Sequence, residues 1–189
     1  MPLDDTAVFI PSIGHYLTGA TTATQPTQTQ INTFISAGTL PTGLTELGHT
    51  DAEDIFAFGQ DDGDSEVKPS WQNKSLREIV TAQAIDYFVA KAMQLLDNDV
   101  MSLYYGGGDA TGTGMYKLPD SSTPQERSTL VVLSDGTNNA GFWVQRTSIR
   151  REDAIEFATD DFTKIPLRFT VLKKSGSPKA VWIHPDLGV

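Results

Sequence analysis

Two strand-like runs in the second half of the chain constrain its fold more than any other feature. Residues 129–133 (TLVVL) form a continuous apolar run, and residues 141–146 (GFWVQR) form a second run after a short polar segment. The segment between them, residues 135–139 (DGTNN), consists of residue types that tight turns use. The pattern predicts an antiparallel β-hairpin whose first strand is buried.

Short runs of alternating or β-branched residues elsewhere predict further strands. These runs are residues 7–13, 42–50, 55–58, 75–81, 115–118, 154–158, 165–171 and 180–183. Strands and helices do not alternate in the way that produces a parallel sheet. We therefore predict a mainly β protein, an antiparallel β-sandwich or barrel with one flanking α-helix.

Residues 84–97 are predicted to form that helix, because their apolar side chains recur at i, i+3, i+4 and i+7 and would share one face. A shorter helix is predicted to end at Ala37, with Thr29 or Asn32 as its N-cap. A further helical turn is predicted for residues 99–105, with Asp99 as its N-cap.

The N-terminal part of the chain has an unusual composition. Residues 18–30 (TGATTATQPTQTQ) carry no charge, and alanine is their only apolar residue. Such a segment has too little apolar surface to fold alone. It is either a linker or an extended arm that becomes ordered against a neighbouring chain. We therefore divide the chain into an arm with a short helix, residues 1–37, and a β domain, residues 38–189.

The charge is strongly acidic and unevenly distributed. The 189 residues have a formal net charge of −10, with ten acids and one base in residues 1–70. From Arg127 onward there are nine bases and seven acids. Net acidity argues against gripping duplex DNA, which requires many Lys and Arg contacts to phosphate. The charge either serves solubility or favours head-to-tail association of an acidic front with a less acidic rear.

The sequence patterns that would support catalysis or cofactor binding are incomplete. The chain has no cysteine, and its three histidines are far apart. Residues 106–114 are rich in glycine but lack the Gly-Lys-Ser/Thr of a phosphate loop. Residues 61–66 are acidic but lack the spacing of a calcium loop. We predict no enzyme activity, no cofactor and no metal site. The absence of a long apolar run predicts no membrane span.

Three segments of the first half combine into a recognisable pattern. They are residues 44–54 (LTELGHTDAED), residues 62–67 (DGDSEV) and residues 70–78 (SWQNKSLRE). A Gly-His-Thr turn, a Gly-Asp pair and a Trp-Gln-Asn motif follow one another in this order, as in the family that they resemble. That family is the major tail (tail tube) proteins of bacteriophages with long, non-contractile tails, the siphophages. Residues 165–172 (IPLRFTVL) fit the same template.

The resemblance implies a structural subunit of the virion tail, made in the cytoplasm of a host bacterium. In that family six subunits form a ring, and the rings stack into a hollow tube that delivers the genome. The implied partners are other copies of the chain, a tape-measure protein, a tail terminator and distal tail proteins. Double-stranded DNA would pass through the lumen without specific binding. Two alternatives stay open: the tube of a related secretion or contractile system, and a stand-alone β-sandwich binding module.

Two polar segments are predicted to make contacts between subunits, because both are long and poor in apolar residues. One is the acidic loop of residues 60–70, and the other is the Thr-rich arm. The candidate contact residues are Asp61, Asp62, Gly63, Asp64, Glu66, Thr24, Gln25 and Gln28. Trp71 is predicted to anchor the acidic loop in the core. Trp143 and Trp182 are predicted to be core or interface aromatics.

Overall fold

The computed structural model of the chain describes residues 8–52, 56–61, 63, 65–80, 82–112 and 114–187. In these residues two helices and twelve strands follow one another along the chain. They are β1 (Ile13–Gly19), α1 (Gln28–Ala37), β2 (Leu44–Glu46), β3 (Ala57–Asp61), β4 (Ser65–Lys68), β5 (Arg77–Val80), β6 (Ile85–Ala92), α2 (Asn98–Tyr105), β7 (Asp109–Ala110), β8 (Tyr116–Lys117), β9 (Gln125–Ser134), β10 (Asn139–Arg151), β11 (Ile165–Val171) and β12 (Val181–Ile183).

The predicted hairpin in the second half is confirmed as β9 and β10. The two strands pair antiparallel from Asn139↔Ser134 onward. The Asp135 carboxylate closes the turn by accepting hydrogen bonds from the Thr137 and Asn138 backbone amides, at 2.8 and 2.6 Å. Farther along, the register shifts between Val144 and Thr147, which marks a β-bulge. The bulge divides β10 into a first half that pairs with β12 and a second half that pairs with β11.

The main sheet has the order β2-β1-β9-β10-β11-β6-β3, with β12 attached to β10, which makes eight strands among the described residues. All of these pairings are antiparallel. β4 pairs with β5, and β7 with β8, in two separate two-stranded sheets. The prediction of a mainly β, antiparallel fold is therefore confirmed.

The strands β1, β9 and β10 are buried on both faces, which explains the continuous apolar run of β9. One face packs against Ile31 and Phe34 of α1. The other face packs against β6 and β11, where the rings of Phe88 and Phe169 stack at 4.8 Å between centroids. Fully burying a side chain of this size contributes about 1.5–3 kcal/mol. The core therefore consists of two layers, one on each side of β9 and β10.

The helix predicted for residues 84–97 is wrong, because β6 occupies Ile85–Ala92. Its apolar residues satisfy a helical spacing, but the buried ones, Phe88, Ala90 and Ala92, alternate as a strand requires. β6 lies between β11 and β3, and both pair with it. This tertiary pairing overrides the local helical pattern, since strand preference depends strongly on neighbouring strands. The helix of this region is the shorter α2.

The N-cap of helix α2 lies two residues earlier than predicted. Its N-cap is Asp97, whose Oδ1 accepts hydrogen bonds from the amides of Asp99 and Val100, at 2.8 and 3.1 Å. The helix ends at Gly106, which adopts the left-handed conformation with φ 69°. Residues 154–158 do not form the predicted strand and contribute only an isolated bridge, Glu156↔Lys164.

The division of the chain at residue 37 is also wrong for the described residues. β1 pairs along its whole length with β9, from Ile13↔Ser134 to Gly19↔Ser128. The strand predicted for residues 7–13 thus lies six residues farther on. α1 starts after its N-cap Thr27, two residues before Thr29, and packs on the sheet. Residues 13–37 therefore belong to the domain.

Hydrogen bonds from side chains far away in sequence hold the Thr-rich segment in place. Gln145 of β10 donates from Nε2 to the carbonyl oxygens of Thr21 and Ala23, at 2.8 and 2.7 Å. Lys174 donates from Nζ to the same Thr21 carbonyl, at 2.6 Å. Side chains from distant strands thus satisfy backbone groups that the segment cannot pair by itself.

Candidate subunit-contact surfaces

The acidic loop predicted for residues 60–70 is instead part of a ribbon in which the edge strand β3 and its neighbour β6 lead into the separate hairpin of β4 and β5. β3 and β6 pair up to Asp61↔Ile85, and β4 and β5 continue from Ser65↔Val80 to Lys68↔Arg77. Three residues lie between these pairings on one strand and four on the other, so the register shifts by one residue. Gly63 lies at this shift, where a Cβ atom would be 2.2 Å from the Ala82 carbonyl oxygen. We call residues 65–80 the distal hairpin.

The distal hairpin is exposed along its length. From Glu66 to Val80 every residue is exposed except Ser70, which is half-buried. Trp71 at the tip is 100% exposed, so the prediction that it anchors this segment in the core is wrong. Leu76 and Val80 are also large, apolar and exposed.

Polar residues give the tip a defined shape. The Ser70 amide donates to the Asn73 carbonyl oxygen at 2.7 Å, and the Asn73 amide donates to Ser70 Oγ at 3.1 Å. The Asn73 side chain accepts from the Ser75 amide at 3.0 Å. These bonds close the turn around Trp71, and the turn presents the indole to the outside.

Arg168 of β11 binds Asp61 at the end of β3, next to the distal hairpin. It is 8% exposed, and its guanidinium lies 3.6 Å from the ring centroid of Tyr87. One terminal nitrogen donates to Asp61, and the other donates to Glu152 Oε1 at 2.9 Å. Burial lowers the pKa of Arg168, but the hydrogen bonds to Asp61 and Glu152 outweigh it, so the net pKa is raised. Sequence reasoning missed Arg168, although a single charge within the apolar run IPLRFTVL was a usable signal.

The other residues of the predicted acidic loop lie in different settings. Glu66 forms an ion pair with Lys68 within the distal hairpin. Asp62 and Asp64 lie outside the described residues. Asp61 is the end of β3 and is bonded to Arg168, so its carboxylate already has a partner inside the subunit.

The candidates in the Thr-rich segment lie elsewhere on the subunit. Thr24 and Gln25 are exposed just before α1. Gln28 is half-buried and donates to the Asn139 carbonyl oxygen at 2.8 Å and to Asn32 at 3.1 Å. α1 covers the face of β9 and β10 opposite to the one that packs on β6. The structure therefore does not bring this segment and the distal hairpin together on one surface.

The other two tryptophans fit their predicted setting. Trp143 is 2% exposed in the layer under α1. Trp182 of β12 is 48% exposed and packs on Phe142, with 4.8 Å between ring centroids. Trp143 is thus a core residue, and Trp182 packs on the core with half of its surface left open.

A groove of about 830 Å³ lies beside α2. It is lined by the loop before α2, by α2 itself and by the segment that follows β10. Two of its apolar side chains are largely open to solvent, Leu96 at 97% and Phe157 at 72%. The Tyr104 hydroxyl donates to the Asp153 carbonyl oxygen at 2.8 Å, and burial raises the pKa of that hydroxyl. We call this feature the α2 groove.

The distal hairpin and the α2 groove lie at opposite ends of β6. The ribbon leaves the sheet beyond Ile85, the first residue of β6, which pairs with Asp61. The last residue, Ala92, lies three residues before Leu95, which lines the groove. Eight residues of strand separate the two ends by roughly 23 Å. Sequence reasoning missed the groove, because it placed Leu96 on the face of a helix that does not form.

The described residues contain no group of three or more His, Cys, Asp or Glu side chains placed to hold a metal ion. Neither described helix is long and apolar enough to cross a membrane. The prominent surface features are thus a projecting apolar hairpin and an apolar groove. Exposed apolar surface of this kind marks a protein that binds other protein chains.

Comparison with known proteins identifies the family within that class. The profile of a phage tail tube protein family matches residues 1–189. The major tail protein Gp23 of Mycobacterium phage D29 is 36% identical over 191 residues, covering 99% of this chain and 96% of that protein. Major tail protein Gp23 of Mycobacterium phage L5 shows the same identity and coverage. The chain belongs to the phage tail tube protein family and is a structural subunit of the virion tail.

Proposed function

We propose that six copies of this chain form a ring and that the rings stack into a hollow conduit for delivery of the genome. The observation that carries the proposal is the distal hairpin, which leaves Trp71, Leu76 and Val80 open to water. Contiguous apolar side chains on a protein surface mark sites where another chain binds. In a structural subunit of a tail, the most abundant partner is another copy of the same chain.

The outer strands of the main sheet offer a way to close the ring. β2 and β3 are the end strands in the order of the sheet, so each has a backbone edge directed away from it. Unpaired edge groups promote association with another strand. Pairing between neighbouring subunits would satisfy these groups and join six sheets into one continuous barrel.

The charge of the chain supports passage of DNA rather than binding. Six copies at −10 each would give a ring a formal charge of −60. A carboxylate in the bore repels a phosphate at 4 Å by about 1 kcal/mol in water, and salt screens this repulsion within about 10 Å. Repulsion of that size prevents adhesion without blocking a driven passage.

The remaining parts of the proposal concern partners. A tape-measure protein would fill the lumen before infection, and terminator and distal tail proteins would close the two ends. Thr24 and Gln25 are exposed and stay candidates for a second contact between subunits. We assign no catalytic residue, because a conduit requires only association and passage.

Removal of the distal hairpin tests the proposal. Residues 65–80 are replaced by a short Gly-Ser turn, and Asp61 is kept because it holds Arg168. We expect the variant to keep its unfolding midpoint, because residues 66–80 are exposed apart from the half-buried Ser70. Negative-stain electron microscopy should show six-fold rings and tubes for the original chain and no tubes for the variant.

The matched control replaces Thr137 by alanine in the exposed turn between β9 and β10. This variant should assemble like the original chain. Normal tubes from the variant without the hairpin would refute the role of the hairpin. Rings with another symmetry would refute the hexamer.

A further inference from the structure

We propose that the α2 groove and the surface around it bind an amphipathic helix of another protein, with basic residues beside the apolar face of that helix. Two smaller grooves, of about 540 and 380 Å³, adjoin the α2 groove at Leu95 and Leu96, which line all three. Leu96 is 97% exposed there. We call the three grooves together the Leu96 surface. The proposal goes beyond the proposed function, because the partner has a different sequence from this chain.

Methionine is concentrated on the Leu96 surface. The chain has four methionines, and the three within the described residues, Met93, Met101 and Met115, all line these grooves. Methionine side chains are unbranched and flexible, so they adapt to the shape of a bound helix. Grooves that receive amphipathic helices therefore often contain them. This residue type fits a protein-binding groove better than a site for one rigid small molecule.

The size of the Leu96 surface fits one segment of a partner rather than a folded domain. Its large exposed apolar side chains are Leu96, Met115 and Phe157. Together they offer roughly 400 Å² of apolar area, a size that is often functional on a protein surface. A stable contact between two folded proteins covers about 800 Å² on each of them. A single helix covers a smaller groove with its side chains at i, i+3, i+4 and i+7.

The backbone of the bound segment also favours a helix. An extended peptide must pair its amide and carbonyl groups, as it does when it adds to the edge of a sheet. The strands beside the Leu96 surface, β7 and β8, have only two residues each, which is too short an edge for this pairing. A helix pairs its backbone groups internally. It can therefore cover an apolar groove without leaving polar groups unpaired.

The charges that line the Leu96 surface are mainly acidic. Asp97, Glu152 and Asp153 line it together with one base, Arg151. Glu152 is bonded to Arg168 inside the subunit, and the other three charges leave an excess of one negative charge. Basic residues on the partner helix complement this excess. The net charge of −10 on the whole chain attracts such a helix at longer range.

A second copy of the chain is a poor source for this helix. α1 has no charged residue, and α2 has one acid, Asp99, and no base. The apolar side chains of both helices pack into the core of their own subunit, as Ile31 of α1 and Leu103 of α2 do. The described residues thus contain no basic helix with a free apolar face. The chemistry of the Leu96 surface therefore points to a different protein.

A designed peptide tests the proposal. The probe is a fluorescein-labelled helix of about 18 residues, or five turns, with leucines on one face and lysines on both flanks. Fluorescence anisotropy should give a Kd of about 10 µM or lower with the original chain. A peptide of the same composition, scrambled so that the leucines no longer share a face, should bind at least about tenfold more weakly. Replacing the lysines by glutamates should weaken binding by at least about fivefold.

Substitutions on the chain locate the binding site. Leu96→Ser combined with Phe157→Ser should weaken binding of the helical peptide by at least about tenfold. The matched control is Phe162→Ser. Phe162 is 72% exposed, as Phe157 is, but it does not line the three grooves. The control should bind the peptide like the original chain. Because all three side chains are largely exposed, both variants should keep the original unfolding midpoint.

Several outcomes would overturn the inference. They are no binding of the helical peptide, equal binding of the helical and scrambled peptides, and an equal loss of binding in the Phe162→Ser control. Loss of rings and tubes in the Leu96→Ser, Phe157→Ser variant would show that a second copy occupies the surface, which also overturns it. Tubes without peptide binding leave the proposed function standing. Peptide binding by a chain that forms neither rings nor tubes refutes the proposed function alone.

Discussion

Replacing Arg168 by methionine tests how much the buried guanidinium stabilises the fold. Methionine keeps most of the aliphatic packing but removes the cation. Asp61 and Glu152 are partly exposed, so each ion pair contributes at most about 1 kcal/mol. The contact of the guanidinium with the Tyr87 ring is desolvated and adds about 1–2 kcal/mol. We therefore expect the free energy of unfolding to fall by about 2–3 kcal/mol.

Urea unfolding and a thermal melt measure this loss. For a chain of this size the melting temperature should fall by about 5–10 °C. Arg146→Met is the matched control. Arg146 donates to both carboxylate oxygens of Glu126, at 2.8 and 2.6 Å, but that pair lies on the surface. It should shift the midpoint far less. Equal losses in the two variants would refute the argument that burial and the Tyr87 contact set the size of the effect.

Three further outcomes follow from the packing, capping and charges of the fold. Phe88→Ala removes a fully buried ring that stacks on Phe169 and should cost about 3–5 kcal/mol in denaturant unfolding. Thr27→Ala removes the N-cap of α1 and should cost about 1 kcal/mol in the same measurement. The hydrogen bond from Arg146 lowers the pKa of the Glu126 carboxyl. This pair therefore stabilises the fold above about pH 4.5 and loses its effect as the pH falls through the lowered value, so Glu126→Gln should reduce the loss of stability in acid.

Local patterns predicted the parts of the fold that depend on neighbours in sequence. The turn at residues 135–139 was predictable because Asp135 bonds to amides two and three residues away. The strand at residues 165–171 was predicted with its observed bounds, since it is a mainly apolar run between polar segments. The end of α1 at Ala37 was predictable from Gly38, which adopts the left-handed conformation with φ 68°.

The errors occurred where contacts between distant residues decide the structure. Residues 85–92 satisfy a helical and a strand pattern at once, and the pairing of β6 with β3 and β11 decides between them. The composition of residues 18–30 predicts a segment that does not fold alone. The side chains that order it, Gln145 and Lys174, are far away in sequence. The composition of residues 18–30 carries no information about these distant partners.

The candidate subunit-contact surfaces likewise depend on contacts and burial that the local sequence does not reveal. The Trp-Gln-Asn motif identified the tip of the distal hairpin as notable, but an apolar residue type does not reveal whether it is buried. Trp71 was therefore assigned to the core, although Trp143 is the buried tryptophan. The α2 groove combines residues near 95–105 with residues near 151–157, and sequence alone gives no reason to place these two segments together.

The pairing of β1 with β9 has a consequence for how the subunit is made. Ser12 and Ser134, which bond to each other beside this pair of strands, are 122 positions apart in the chain. Pairing of strands so far apart in the chain makes folding slow, because a long loop must close. The pairing of β1 with β9 cannot begin until β9 has left the ribosome. The distal hairpin is synthesised well before that moment, with Trp71 already exposed. During synthesis the distal hairpin thus precedes the sheet that supports it, so a newly made chain carries this hairpin before its core has formed.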